Sequence, residues 1–325
     1  MSTKTDLLHL LTENLGTYMS GQALADELGI SRAAVNKAAT ALRQAGYHIQ
    51  SRTRVGYRLA EKQEFLSREQ VEEGLTKPCR VIVLDSVDST NQYAKKEDLS
   101  KGPVLVVADR QTAGRGRLGR TFASPSGTGV YFSLAFRPKF DLAKSLFITM
   151  AAAIATSRAI EEVTQESPKI KWVNDLFLQG KKICGILTEA QTNFESGEIE
   201  GIIIGIGINC FPGSFPEEIS AIAGSVSQEP GSFSRGYLAG RVADHLLSLV
   251  ETFQDRSFLA EYRRRCFILG KPITVRAIAT GDETPAKALD IDDNGGLVVE
   301  YTSGLHMHEI HTLTSGEVTL RVEDY

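Results

Sequence analysis

The sequence predicts an α+β protein in three successive parts: an N-terminal winged helix-turn-helix (residues 1–65), a central mixed β-sheet with helices (66–267) and a small C-terminal β-barrel (268–325). Three observations predict it. A capped pair of short helices with a basic second member lies near the start. Apolar strand-like runs alternate with two long helical patterns through the middle. The last part breaks into short alternating runs separated by turn residues such as Thr280-Gly281-Asp282 and Asp293-Asn294-Gly295-Gly296. At 325 residues the chain is too long for one ordinary domain, and 42% hydrophobic residues suffice for several cores.

Charge divides the chain again. It carries 36 Lys and Arg against 40 Asp and Glu, a net of −4, which excludes a protein basic throughout. Residues 1–60 nevertheless hold Lys4, Arg32, Lys37, Arg43, Arg52, Arg54 and Arg58 against Asp6, Glu13, Asp26 and Glu27, so a basic excess sits where a nucleic-acid module would use it. Cys79, Cys184, Cys210 and Cys266 are scattered, without CxxC or zinc spacing, and read as reduced, buried thiols of a cytoplasmic protein. No metal ligand set is read from the sequence. The chain's start lacks a signal pattern, and the longest uncharged helical run, Ser145–Ser157, is short of the roughly 20 residues of a membrane span, so no membrane association is expected.

In the first part, Ser20 caps a helix over Gly21–Leu28, Gly29-Ile30 makes the turn, and Ser31 caps a second helix, Arg32–Ala45, which Gly46 ends. Val35, Ala38, Ala39 and Leu42 share the buried face of the second helix, leaving Arg32, Asn36, Lys37, Thr40 and Arg43 opposite. A helix-turn-helix would set that helix, from Ser31 onward, in the major groove, where Arg and Asn reach purine edges. The hairpin Ile49–Leu59 carries Arg52, Arg54 and Arg58 as a wing toward phosphates. The competing reading is a protein-binding helix pair with a solvated basic face. The polar stretch Glu61–Glu73 is a linker or a linking helix.

Four segments of the second part bear chemistry. Arg110–Arg120 sets Gly114, Gly116 and Gly119 among Arg110, Arg115, Arg117 and Arg120. Glycines let backbone N–H groups approach an anion, and arginines add charge and fork geometry. The absence of GK[ST] excludes a Walker A loop. Lys171-Trp172-Val173-Asn174-Asp175 leads into a hairpin that turns at Gln179-Gly180, with Lys182 and Gly185 leaving it; its strands are Ile170–Leu178 and Ile183–Glu189. Gly205 and Gly207, alternating in the strand Ile199–Ile208, clear one face for a ligand or another backbone. Asp88-Ser89-Thr90-Asn91-Gln92 starts a helix with several hydrogen-bonding side chains. Each alone also fits a plainer reading: a basic surface loop, a solvated lysine, packing, an N-cap. Strands Val104–Ala108 and Val130–Phe136 and helices Ser145–Val163 and Gly236–Phe253 complete this part.

Taken together, Ser89-Thr90-Asn91, Gln111 with Gly114-Arg115-Gly116-Arg117, Lys171 through Asp175, Lys182 with Gly185, and Gly205 through Asn209 occur in the order found in biotin protein ligases. The sequence resembles that family over nearly its whole length. Ser31 through Asn36 resembles the bifunctional kind, which also represses the biotin operon. The resemblance implies the class II aminoacyl-tRNA synthetase-like fold of biotin/lipoate ligases and an SH3-like C-terminal domain. It implies that biotin and ATP, with Mg2+, form biotinyl-5′-AMP, and that biotin passes to a lysine of a biotin carboxyl carrier protein. By the same resemblance Arg117 and Lys182 offset the repulsion of two anions, Lys182 bridging carboxylate and α-phosphate. Gly114 through Arg117 close over biotin beside Gly185, and Ser89, Thr90, Asn91 and Gln111 meet its ureido ring. Lys171, Asn174 and Asn209 serve the nucleotide. Phe122, where the family often has Trp, packs on adenine. Asp175 orients the amine or a metal, and residues 211–223 form a closing loop. It further implies a homodimer, formed when adenylate is bound, on operator DNA, with biotinyl-5′-AMP as corepressor. A ligand-sensing repressor with weak catalysis and a lipoate-type acyl ligase stay open as alternatives.

Overall fold

The computed structural model describes residues 3–44, 47, 49–59, 66–138, 145–192, 199–213, 215–252, 255–277, 280–314 and 317–319. The expected helix end at Gly46 and the first five residues of the Glu61–Glu73 stretch lie outside them.

The first part has three helices, α1 (Thr3–Glu13), α2 (Gly21–Leu28) and α3 (Arg32–Gln44), followed by an antiparallel wing of β1 (Ile49–Arg52) and β2 (Gly56–Leu59). Ser20 Oγ accepts from the Ala23 N–H at 3.0 Å and Ser31 Oγ from the Ala34 N–H at 3.2 Å, so both helices start where the hydroxyls satisfy otherwise orphaned donors. Gly29 ends α2 at φ +63°, a conformation glycine adopts without a Cβ clash. The sequence analysis did not anticipate α1. Its Leu7, Leu8 and Leu11 close a separate core against Leu24, Val35, Leu42, Ile49 and Leu59.

The second part contains α4 (Arg68–Glu73), β3 (Arg80–Leu84), α5 (Thr90–Ala94), β4 (Val104–Ala108), β5 (Gly129–Phe136), α6 (Ser145–Thr164), β6 (Lys169–Lys171), β7 (Asp175–Leu178), β8 (Lys181–Thr192), β9 (Ile199–Asn209), α7 (Glu217–Ser220), α8 (Arg235–Glu251) and α9 (Phe258–Arg265). Its seven-stranded sheet has the order β3-β4-β5-β9-β8-β7-β6, with β3 parallel to β4 and the other neighbours antiparallel. Strand periodicity sorts the faces. Leu105, Val107, Phe132, Leu134, Ile204, Ile206 and Ile208 share one core with residues of α6 and α8. On the opposite face Val106, Ala135 and Ile203 pack with Ala94 of α5. Farther along that face apolar side chains give way to Ser133, Gly205 and Gly207.

One expected strand divides in two. Ile170–Leu178 is not continuous: Lys171 pairs with Asp175, and the chain reverses through Trp172, Val173 and Asn174. Trp172 and Val173 are buried, the Trp172 Nε1–H donates to the Gly295 carbonyl at 3.1 Å, and the Tyr262 hydroxyl donates to the Val173 carbonyl at 3.2 Å. Side chains that read as strand therefore anchor a turn.

The third part is an antiparallel five-stranded sheet, β10 (Pro272–Arg276), β11 (Glu283–Ile291), β12 (Leu297–Tyr301), β13 (Ile310–Leu313) and β14 (Glu317–Thr319), in the order β13-β12-β11-β10-β14. Ile273, Val275, Ala288, Leu297 and Val299 belong to the same core as the central sheet, so the two parts pack as one body. Among the described residues no helix is long and apolar enough to cross a membrane.

Candidate active site

Where the polar, glycine-bearing sheet face meets the Arg110–Arg120 loop there is a cleft of about 340 Å³. Its lining draws on the start of α5, the loop, the Trp172–Asn174 turn, β8 and β9, with Phe215, Ile219, Ile222 and Ala223 along one side and Arg276 and Glu283 of the third part. The segment around Ala223 is held by backbone bonds on both sides of Lys182: its N–H to the Ile222 carbonyl at 2.7 Å, and the Gly224 N–H to its carbonyl at 2.9 Å.

At one end lies a buried amide pocket. Ser89, Thr90 and Asn91 are each under 5% exposed. The Gln111 Oε1 accepts from the Thr90 N–H at 2.9 Å, and its Nε2 donates to Ser124 Oγ at 3.0 Å. Asn91 is fixed from both ends: Oδ1 lies 2.5 Å from Ser133 Oγ, and Nδ2 donates to Glu189 Oε2 at 2.6 Å. Lys95 Nζ meets the other Glu189 oxygen at 2.7 Å. Burial alone would raise the Glu189 carboxyl, but hydrogen bonds from Lys95 and Asn91 outweigh it and hold the group below the usual carboxylate range. Gly205 makes the pocket possible, because a Cβ there would stand 2.3 Å from Asn91 Oδ1.

At the other end two cations converge on one dipeptide. The Arg117 Nη1 donates to Asn174 Oδ1 at 3.0 Å, Lys182 Nζ lies 2.7 Å from Asp175 Oδ1, and Asn174 Nδ2 donates to that Asp175 oxygen at 3.1 Å. A bulge sets this up. Asp175 pairs with Gly185 and Leu176 with Cys184, but Phe177 pairs with Lys182, leaving Ile183 unopposed. Residues three apart on a regular strand face opposite ways; the inserted residue returns Lys182 to the side of Gly185, while Ile183 and Cys184 both enter the core. Lys171 and Asn209 line the same cleft; Lys171 Nζ stands 5.9 Å from the centroid of the Phe177 ring, and Asn209 Nδ2 donates to the Gly224 carbonyl at 3.0 Å.

Within the loop, the Phe122 N–H donates to the Gly114 carbonyl at 2.9 Å and the Gly116 N–H to the Arg120 carbonyl at 2.7 Å, folding Gly114, Arg115 and Gly116 back across the cleft. The Phe122 ring sits on the strand glycines: a Cβ at Gly207 would come within 2.3 Å of it, and one at Gly185 within 3.0 Å. An edge contact with Tyr131 completes its surroundings. The ring therefore floors the cleft.

Family models match three stretches: the Biotin/lipoate A/B protein ligase family over residues 83–209, an HTH domain over 3–58 and the Biotin protein ligase C terminal domain over 268–321. The bifunctional ligase/repressor BirA of Bacillus subtilis is 37% identical over 93% of this chain and 95% of its own, and that of Escherichia coli 30% identical over 94% of each. The chain belongs to the bifunctional biotin ligase/repressor family. The biotin protein ligase of Aquifex aeolicus, solved in complex with biotin and ATP, superimposes with a TM-score of 0.62 at 31% identity, covering 74% of this chain and 98% of that one.

In this bifunctional ligase the DNA-reading residues expected from the sequence are not all exposed. Ser31, Arg32, Asn36 and Lys37 are exposed. Arg43, two turns past Asn36 on α3, is half-buried: its Nε donates to the Ile49 carbonyl at 2.7 Å and so ties α3 to the wing. Arg52 lies over the Tyr18 ring, 5.5 Å from its centroid, and Arg54 stands exposed in the wing turn. The thiols Cys79 and Cys266 are pushed up to about 12 by burial, the state of inert packing cysteines.

Several residues that hold the cleft's lining in place escaped the sequence analysis. Glu189 stands on the same strand face as Gly185, two steps along, a period-two signal that was legible. Ser124 and Ser133 had none. Nor did the buried pair Asp109 and Arg235, whose carboxylate and Nη1 lie 2.7 Å apart. Asp109 stands at the start of the loop and also receives the Ser126 hydroxyl and the Gly127 N–H from its far end, so Arg235 of α8 clamps both ends of the loop.

Proposed function

We propose that the chain joins biotin to ATP as biotinyl-5′-AMP, with release of pyrophosphate, and then passes the biotinyl group to a lysine of a biotin carboxyl carrier protein. In the first step a biotin carboxylate oxygen bonds to the α-phosphorus as the bond to the β-phosphate bridge breaks. In the second the lysine amine bonds to the acyl carbon, loses a proton, and AMP leaves. The first step brings two anions together in a confined space, so fixed positive charge has to offset their repulsion and the charge that develops. Arg117 and Lys182, drawn from separate segments onto Asn174-Asp175, are the observation that carries the reading.

The neutral ureido ring of biotin needs donors and acceptors at fixed places, which Ser89, Thr90, Asn91 and Gln111 supply. A lipoate dithiolane has no amide to match these donors and acceptors. Lys171, Asn174 and Asn209 serve the nucleotide side, and Phe122 floors both halves. Asp175 would hold Mg2+ through its carboxylate, and the ion would supply further positive charge against the nucleotide's phosphates. Leu118, exposed at the loop tip, is an apolar side chain that ordering of the loop would cover.

The repressor half places the exposed start of α3 in the major groove of operator DNA, with the wing on phosphates. A dimer formed with biotinyl-5′-AMP bound would set two such helices on half-sites about 34–36 Å apart or a multiple of it. Cytoplasmic location follows from this reading. The test is pyrophosphate release with biotin, ATP and Mg2+, with and without carrier domain, then footprinting of operator DNA. Release that needs biotin, and a footprint that needs both substrates, are expected. Release equal with lipoate, or a footprint kept after deletion of residues 1–60, overturns the corresponding half.

A further inference from the structure

The connection between β12 and β13 carries a side-chain cluster that the ligase reaction leaves unused. Three of the six histidines of the chain fall within six residues, His306, His308 and His311, interleaved with Glu309. His306 Nδ1 and His311 Nε2 each lie 2.9 Å from the same oxygen, Glu309 Oε2, and the three ligating atoms all lie within 4.8 Å of one another. None of the three residues is among those lining the biotin–nucleotide cleft.

The backbone holds the cluster together. The Tyr301 N–H donates to the Glu309 carbonyl at 3.1 Å, the His308 N–H to the Tyr301 carbonyl at 2.8 Å, and the Glu309 N–H to the His306 carbonyl at 2.9 Å. His311 sits on β13 opposite Val299. The Tyr301 ring stands beside both imidazoles, with centroids 6.1 Å from His306 and 5.3 Å from His311. His308 faces elsewhere, its Nδ1 3.6 Å from Glu300. The turn has little apolar anchorage of its own: Leu305 is 99% exposed and Met307 52%.

We propose that His306, Glu309 and His311 form a binding site for a divalent late first-row transition-metal ion, zinc in the first instance. Two imidazole nitrogens and one carboxylate oxygen are the three-ligand complement zinc takes when water fills its fourth position. Ligand atoms on a tetrahedral zinc with bonds near 2.0–2.1 Å are about 3.3 Å apart. Two of the three separations here are already within about half an ångström of that. The third needs closing by at most roughly 1.5 Å, within reach of exposed imidazoles turning about their side-chain bonds. Both histidines bind in neutral form, so the ion replaces the contacts they make with Glu309. The bound ion would tie the solvent-facing turn to β13.

The experiment titrates chelator-stripped full-length protein with zinc sulfate, without biotin or ATP, against a chromogenic zinc indicator. One ion per chain is expected. His306→Ala, His311→Ala and Glu309→Gln should each weaken binding at least tenfold, whereas His308→Ala should leave it within twofold. Circular dichroism and biotinylation activity of the same variants, expected unchanged, separate ligand loss from misfolding. No binding, or the same affinity and stoichiometry in the His306→Ala/His311→Ala double variant, overturns the proposal.

Discussion

Gly205→Ala isolates the amide pocket from the rest of the fold. In a strand interior, alanine for glycine ordinarily gains about 0.5–1 kcal/mol, since glycine loses more conformational freedom on folding. Here the new methyl would lie 2.3 Å from Asn91 Oδ1, 2.9 Å from its Cγ and 3.0 Å from its Nδ2. Asn91 is 4% exposed and cannot swing into solvent, so it must rotate and give up Ser133 or Glu189. Asn91 moved from its place no longer meets biotin, and a buried polar group of the ligand left without its partner costs about 1–3 kcal/mol, roughly a 5- to 150-fold rise in the KM for biotin. The KM for ATP should stay within a factor of about three. Pyrophosphate exchange at varied biotin reads the effect, and Gly201→Ala is the control: it lies on the same face of β9, but its one tight contact would be with the flexible end of Leu99 at 2.7 Å. An unchanged biotin KM with an unchanged or raised Tm would refute the argument that Gly205 exists to admit Asn91.

Other perturbations test separate parts of the site. Lys182→Ala removes one of the two cations, and single-turnover pyrophosphate release should slow about 10²–10³-fold with biotin affinity far less affected. Asp109→Asn removes the carboxylate paired with the Arg235 guanidinium, 0% exposed, and should cost about 3–5 kcal/mol in denaturant unfolding; the milder Ser126→Ala removes one of the two bonds from the loop's far end to Asp109 and should raise the biotin KM with less loss of stability. Because the Glu189 carboxyl is held below its ordinary value near 4.3, its stabilising effect is complete above that pH and is lost as pH falls through the lowered value. Glu189→Gln should therefore remove part of the acid-side fall in Tm, and a fall identical to that of the parent protein would show that the carboxylate contributes none of it.

How much of this was legible in the sequence depended on the range of the interaction. The helix caps of the first part were readable because Ser20 and Ser31 act within three residues of themselves. Strands such as Val104–Ala108 were readable because a buried apolar run is a local signal. The turn at Trp172–Asn174 was hidden because its stabilising partners, Gly295 and Tyr262, lie about a hundred residues away and leave no mark on the local pattern. The bond from Arg43 to the wing was hidden for the same reason at shorter range, since a basic residue on a helix gives no sign that a wing carbonyl waits beside it.

The motif residues themselves show why order in the sequence revealed the site while geometry had to supply its logic. Lys182 and Gly185 are three apart, a spacing that on a regular strand would send them to opposite faces. The bulge at Ile183 reconciles them, and Gly207 then leaves room for the Phe122 ring between the amide pocket and the cations. The loop closes this arrangement, held at both ends by a carboxylate paired with a fully buried arginine. A flexible glycine-rich segment pinned at its two ends can move in its middle without losing its register on the cleft. Enclosing a hydrolysable mixed anhydride and then opening to a carrier lysine requires that combination, which neither a wholly rigid nor a wholly free loop would provide.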